Sequence, residues 1–437
     1  SGGDGFDLVV DLGDPPWMEA EVPPPGYYAP GDDPAALGRV LAELPEMVGT
    51  FEKPRYFAYD PGICAHGQRG QAGCARCLEA CPTGAIRSAG EEVAVDPYLC
   101  QGCGICATTC PTGAMTYAYP AVGDLLATVR RALTTYREQG GRAPCVLFHD
   151  AEAGEAAFNG LADTLPERVL PFRVEELPSV GVEAWLAALA YGASEVVLLR
   201  GGREETGPVQ ALGTQVEQAG AVLEGLGYAP QRVRLLEADR AGAELAASPA
   251  PAIAPAGFAA LGRKRDLLRL ALDHLHDQAP RPADWAPLPE GAPFGEVRVD
   301  GEACTVCMAC VSVCLAGALI DGEDRPQVRF LEGNCVQCGL CEGACPEDAI
   351  TLHPRMAYTA ALYRRERVLH EEAPFHCLGC GKPFATRSMV DRMTEKLVGH
   401  WMYRESDAMV RRLQMCGDCR VKDMIAEEGG LDAGERP

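Results

Sequence analysis

Cys100-Gln-Gly-Cys103-Gly-Ile-Cys106-Ala-Thr-Thr-Cys110-Pro111 is the stretch from which the chain is read. Its spacing, C-x2-C-x2-C-x3-C-P, places three thiolates around one [4Fe-4S] cluster and sends the fourth to a neighbouring cluster, so one run demands a second. The second run lies just upstream as Cys74, Cys77 and Cys81-Pro82, with Cys64 completing the set across a lengthened first gap. Two further runs come much later, Cys304/Cys307/Cys310/Cys314 and Cys335/Cys338/Cys341/Cys345-Pro346.

These tandem runs resemble the bacterial-type 2[4Fe-4S] ferredoxins. The resemblance implies two such modules, at 51–120 and 295–356, each with crossed ligand sets. In the first, Cys64, Cys74, Cys77 and Cys110 hold one cluster and Cys100, Cys103, Cys106 and Cys81 the other. In the second, Cys304, Cys307, Cys310 and Cys345 hold one, and Cys335, Cys338, Cys341 and Cys314 the other. Small residues between the cysteines let backbone N–H groups point at sulfur, and proline fixes the exit from the last ligand. Leu315 stands where that proline is expected after Cys314. The long gap after Cys64 contains His66, which reads as a loop histidine facing solvent in preference to a substitute ligand. Structural zinc fits tandem three-plus-one runs far less well than iron–sulfur.

The chain has 437 residues, 47% of them hydrophobic and 23% charged, enough for about three domains with real cores. Its 21 cysteines cluster in C-x2-C units, a pattern of metals in a reducing compartment rather than disulfides. A formal charge of −23 argues against nucleic acid. Each oxidised cluster adds a net charge of about −2, so a redox partner with a basic docking surface is expected. The longest apolar stretches are too short for a membrane span. The residues after Ser1 form neither a basic-then-apolar leader nor a twin-arginine signal, and a cytoplasmic address is expected.

Residues 1–50 read as a partial, irregular segment: an apolar run from Phe6 to Leu12, a Pro-rich stretch, and a short helix after Asp33, a fair N-cap. Between the two modules, 121–247 alternates apolar runs (Cys145 onward, Val169 to Val174, Glu195 to Leu199, Val233 to Leu236) with helical patterns. That alternation predicts a doubly wound parallel α/β domain. The order Val169-Leu-Pro-Phe-Arg-Val, Val182-Glu-Ala-Trp-Leu-Ala-Ala-Leu-Ala-Tyr-Gly-Ala, Glu195-Val-Val-Leu-Leu resembles the delta subunit of methyl-viologen-reducing hydrogenases, which works with heterodisulfide reductases. That family carries cluster cysteines at its strand ends. Here Glu175-Glu176-Leu177 and Arg200-Gly201-Gly202 stand there instead, so the domain reads as a relative that lost its cluster and separates the two relays. Cys145 reads as a small core residue, and Gly201-Gly202 as a turn rather than a phosphate loop. Residues 248–294, Pro-rich with a helix from about Gly262 to Gln278, read as a linker that spaces domains.

The C-terminal segment, 357–437, contains Cys377-Leu-Gly-Cys380 and Cys416-Gly-Asp-Cys419, the two-plus-two arrangement of a closed tetrahedral site. Structural zinc is favoured over rubredoxin-like iron or a fifth cluster, in a helix-containing, treble-clef-like module; His376 is left outside the ligand set. The fold class is thus α+β multidomain, with two ferredoxin modules flanking an α/β domain and a small C-terminal four-cysteine module.

Four clusters with full cysteine sets offer no open iron, and no nucleophile elbow, P-loop or complete dinucleotide fingerprint occurs, so no catalytic site of its own is evident. Electron transfer remains. The whole chain resembles large bacterial cytoplasmic 4Fe-4S proteins associated with molybdenum- or tungsten-dependent formate dehydrogenases, through Gly62-Ile-Cys-Ala-His, Val95-Asp-Pro-Tyr-Leu-Cys100, Leu147-Phe-His-Asp150, Pro293-Phe-Gly and the terminal cysteine pairs. That resemblance implies an electron-carrying subunit between a dehydrogenase and another redox partner. The alternative is an accessory, assembly or regulatory factor for such an enzyme.

Overall fold

The computed structural model describes residues 6–18, 22–202, 206–323, 325–400, 403 and 407–431, and the start at Ser1 lies outside them. The chain divides into two compact units. One comprises Ser1–Pro293 with Arg355–Thr359, the other Phe294–Pro354 with Ala360–Pro437.

In the first unit, Asp33 caps the helix Pro34–Glu43 by accepting from Ala35 N at 2.8 Å. Two antiparallel ribbons then frame the first cysteine-rich module. Phe57–Tyr59 pairs with Met115–Tyr117, and Ile86–Ala89 pairs with Glu92–Val95. Phe57, Ile86, Val93 and Met115 turn inward and pack with the thiols, so the module's core is apolar side chains on one side and sulfur on the other.

After this module comes helix α1 (Val122–Glu138), then strand β1 (Cys145–His149), α2 (Ala153–Leu161), β2 (Val169–Arg173), α3 (Val182–Ala190), β3 (Glu195–Arg200), α4 (Gly207–Gly225), β4 (Val233–Glu237) and α5 (Ala238–Ala246). All pairings are parallel, in the order β2-β1-β3-β4. Every residue of β1 and β3 is buried, as expected of central strands covered on both faces. On one face α2 and α5 close over Cys145, Leu147, Val197 and Leu199; on the other lie α3 and α4. Helix α3 is apolar almost all round because it sits between the sheet and two further helices, α1 and α6 (Lys264–Asp277).

Helix α6 falls in the stretch read as a linker, yet Leu267, Leu268, Ala271, Leu272 and Leu275 are all buried. Its first residue, Lys264, reaches the cysteine-rich module: Nζ donates to Ala107 O at 2.8 Å and Thr108 O at 2.6 Å, and lies 3.6 Å from Glu183. That segment is therefore part of the unit's core rather than a free spacer.

In the second unit the same ribbon plan recurs. Gly295–Val299 pairs antiparallel with residues 350–354, and Leu319–Asp321 pairs with Gln327–Phe330. The C-terminal segment continues as a hairpin, Pro374–His376 against Pro383–Thr386, then helices Arg387–Val398, Asp407–Leu413 and Gly417–Leu431. Thr386 caps the first of these and also donates to Thr305 O at 2.7 Å, tying the hairpin to the second module. No helix among the described residues is long and apolar enough to cross a membrane.

Candidate metal centres

In both modules the backbone is shaped for ligation by residues two and four beyond the first cysteine of a run. These adopt left-handed φ: Gly102 and Gly104, Val306 and Met308, Gln337 and Gly339. Such turns aim successive N–H groups inward, and glycine takes them without strain. The run at Cys304 makes the same turns with a valine and a methionine. The run Cys74/Cys77/Cys81 instead begins a short helix, Arg76–Glu79, and receives Cys64 from the turn after Pro61–Ile63.

In each module the buried thiols have other cysteines as neighbours. Burial, reinforced by Cys110, Cys74 and Cys64, pushes the Cys77 thiol up to about 12. Burial does the same to Cys103, with Cys81 and Cys100 beside it, and drives Cys106 well above its ordinary value. In the second module burial lifts Cys310 to about 12, with Cys304, Cys307 and Cys345 as neighbours, and raises Cys341, beside Cys335, Cys338 and Cys314. Thiols this buried keep their protons unless a cation replaces them, so these cysteines suit metal ligation rather than the chemistry of a free thiolate. Donors complete the fit. Sγ of Cys110 accepts from Met115 N at 3.4 Å; Cys314 accepts from Ala318 N and Leu319 N, both at 3.3 Å; Cys345 accepts from Ala349 N at 3.3 Å.

His66 does not face solvent. It is 5% exposed, with Nδ1 2.9 Å from Cys74 O and Nε2 2.8 Å from Ser88 Oγ. The lengthened gap folds back as the ribbon Gly67–Gln68 on Gln71–Ala72, and this puts the imidazole under the turn that carries Cys74. Both ring nitrogens are engaged, so His66 positions that turn. Cys145 is fully buried in β1, and burial raises its thiol, as suits a core residue.

At the C-terminus, the ligand atoms of Cys377, Cys380, Cys416 and Cys419 all lie within 4.8 Å of one another. Cys377 and Cys380 sit on the turn of the hairpin, and Cys419 on the first turn of Gly417–Leu431. Sγ of Cys377 accepts from Gly379 N at 3.3 Å and Cys416 N at 3.2 Å. Burial opposes ionisation of this thiol, but the N–H groups of Cys416, Cys380 and Gly379 prevail and bring it down to about 6. Four sulfurs this close together, one of them already supplied with N–H donors, fit a single tetrahedral ion.

Several contacts had no signal in cysteine spacing. The Tyr59 hydroxyl lies beside Cys64 and accepts from Val93 N at 3.2 Å. Gln337 donates from Nε2 to Cys335 Sγ at 3.3 Å and to Glu296 O at 3.3 Å. Cys81, Cys100, Cys103 and Cys106 line a cavity of about 500 Å³ together with Asp150, Glu176, Gly201 and Gly202. Burial, with Asp150, Glu152 and Glu175 nearby, pushes the Glu176 carboxyl up to about 7.

Residues 51–114 and residues 303–350 each match the 4Fe-4S dicluster domain. Among curated proteins, the archaeal-type glutamate synthases [NADPH] of Thermotoga maritima and Thermotoga sp. (strain RQ2) are each 41% identical over 56 residues, 13% of this chain and 11% of theirs. The chain therefore spans about a tenth of the length of these relatives. Among solved structures, a chain of the formate dehydrogenase–heterodisulfide reductase–formylmethanofuran dehydrogenase complex from Methanospirillum hungatei aligns over 76% of this chain and 91% of its own. It does so at 16% identity and a TM-score of 0.22. With two dicluster domains and a separate four-cysteine site, the chain is a large iron–sulfur protein of the electron-transferring kind.

Proposed function

We propose that this chain is a four-cluster relay subunit that passes electrons between a dehydrogenase, of the formate dehydrogenase type, and a second redox protein. The ligand sets are Cys64/Cys74/Cys77/Cys110, Cys100/Cys103/Cys106/Cys81, Cys304/Cys307/Cys310/Cys345 and Cys335/Cys338/Cys341/Cys314, with Zn²⁺ on Cys377/Cys380/Cys416/Cys419. The carrying observation is the pair of 4Fe-4S dicluster matches, which together take in sixteen cysteines, several of them buried among other cysteines. Bound clusters supply one-electron transfer. The chain's own contribution is to exclude water with Phe57, Ile86, Val297 and Phe330, and to present N–H donors to the sulfurs. The formate dehydrogenase partner rests on the sequence resemblance, and the net charge of −23 favours a basic docking face on it. A cytoplasmic site of action accords with the reduced thiols this reading requires.

The test is an anaerobic preparation assayed for metal and for reduction by partner. About sixteen iron atoms and one zinc per chain are expected. A reduced molybdenum or tungsten formate dehydrogenase should bleach the cluster absorbance near stoichiometry. Binding only to the apo form of that enzyme would instead establish an assembly role, and a colourless, folded protein holding only zinc would end the relay reading.

A further inference from the structure

The cavity beside Cys81, Cys100, Cys103 and Cys106 does not end at the thiols. It runs on to the carboxyl edge of the parallel sheet, where Asp150 follows β1, Glu176 follows β2, and Gly201 and Gly202 follow β3. In the order β2-β1-β3-β4 the chain leaves β1 towards one side and later crosses to the other. The loops behind β1 and β3 therefore part, and a crevice opens at that edge, where sheets of this kind take small molecules. A cube held by four thiols accounts for one end of the cavity. The sheet end has neither thiol nor imidazole among its described lining residues.

The chemistry of that end is selective. Its described apolar lining includes Leu177, Pro178, Val209 and Leu212, and its described polar side chains are Asp150, Glu176, Arg200 and Thr206. Arg200 Nη1 is committed to Glu237 at 2.6 Å. Asp150 Oδ1 accepts from Glu152 N at 3.0 Å and Gly154 N at 2.8 Å, which fixes the carboxylate in place. Phosphate is disfavoured by these carboxyls and by the cluster's own negative charge. Gly201 does not signal a phosphate loop either: a Cβ there would collide with the backbone of Ala153, so the glycine answers to packing on α2. At Gly202 a Cβ would meet nothing within 4 Å.

We propose that the sheet end of this cavity binds a flat, uncharged heteroaromatic ring of the isoalloxazine class, set against apolar side chains, with its single ring N–H donating to a carboxyl oxygen of Asp150 or Glu176. The cavity as a whole, thiol end included, measures about 500 Å³, within the range of roughly 300–1,000 Å³ usual for small-molecule sites. A redox-active ring is the apt occupant because cavity and cluster thiols are continuous, with no layer of protein between them. The inference rests on the cluster assignment proposed above.

Equilibrium dialysis of the anaerobically reconstituted full chain against riboflavin, with iron counted in the same samples, tests it. Saturable binding of one riboflavin per chain is expected. Gly202→Trp and, separately, Val209→Trp should weaken it at least tenfold while the iron count and cluster absorbance stay at the parent value. Full iron without saturable riboflavin binding overturns this inference alone, as does binding that neither variant weakens. Binding of FMN tenfold tighter than riboflavin would also overturn it, since that requires a phosphate subsite. Iron far below about sixteen per chain defeats the relay reading instead.

Discussion

Gly104 and Gly339 occupy the same place in two cysteine runs, each directly after the second cysteine and each opening a short helix. Their backbones match, with φ of +78° and +83°. Their surroundings do not. A Cβ on Gly104 would lie 2.5 Å from Ser179 Cβ and 2.6 Å from its Cα, whereas a Cβ on Gly339 would meet nothing within 4 Å. Alanine at either position incurs the left-handed penalty of about 1–2 kcal/mol. At Gly104 the side chain also forces the module off the backbone of the loop Leu177–Ser179, for a further roughly 1–3 kcal/mol of overpacking. Cluster loss is irreversible, so the measure is a rate: bleaching of the iron–sulfur absorbance in denaturant with a chelator. At about 1.36 kcal/mol per tenfold, Gly104→Ala should lose its module's clusters roughly 5–150 times faster than Gly339→Ala loses those of its own. Equal rates would show that the first module does not bear on the α/β sheet's loops in the way the distances require.

The remaining predictions concern charge and ligation. Glu176 is raised to about 7 by burial and by Asp150, against an ordinary value near 4.5. The folded state thus binds the extra proton between those values, and the stability of the first unit should fall as pH rises from about 4.5 to 7. Glu176→Gln should flatten that slope in thermal melts run across the window. Gln337→Leu removes an N–H donor from Cys335 Sγ, a bond to a charged group of about 1.5–3 kcal/mol, part of which is felt only in the reduced state. A redox titration should show one cluster of the second module moving to more negative potential with the others unmoved. Cys380→Ser should release the single C-terminal metal ion while the iron count holds, checked by elemental analysis of the gel-filtered protein.

Sequence alone reveals the features that depend on local spacing. Thiol ligation demands fixed intervals, so the cysteine runs announced themselves, and the fully buried β1 and β3 show as short apolar runs. Helices α2 and α5 gave little signal because each has few large apolar residues, Phe158 and Leu161 in Ala153–Leu161 and Leu245 in Ala238–Ala246. Helix α6 was legible as a helix, but its role was not: nothing in Lys264-Arg-Asp-Leu-Leu says that the lysine will cap the carbonyls of Ala107 and Thr108. His66 was misplaced for the same reason. A glycine-rich gap looks like a solvated loop until its ribbon closes and buries the ring between Cys74 O and Ser88 Oγ.

The attachments around each ferredoxin module have their cause in size. A domain of about 60 residues buries too small a share of its surface to be stable with much margin, and its centre here is sulfur rather than packed hydrocarbon. Outside support is the remedy, and the two modules receive it by different means. In the first unit the short helix Ile105–Thr109, between Cys103 and Cys110, is gripped on three sides. Lys264 binds its carbonyls, Gln215 Nε2 donates to Thr108 Oγ1 at 3.1 Å, and Thr108 Oγ1 donates to Pro178 O at 3.1 Å. In the second unit support comes from the four-cysteine segment: Thr386 binds Thr305 O beside Cys304, Lys396 reaches Glu347 at 3.3 Å beside Cys345, and Arg367 joins Glu332 at 2.7 Å to Glu296 at 3.3 Å. The C-terminal metal would then act on the relay without carrying electrons. By fixing the hairpin that ends in Thr386, it holds the backbone on which Cys304 stands, so losing that ion should loosen the nearest cluster before any other.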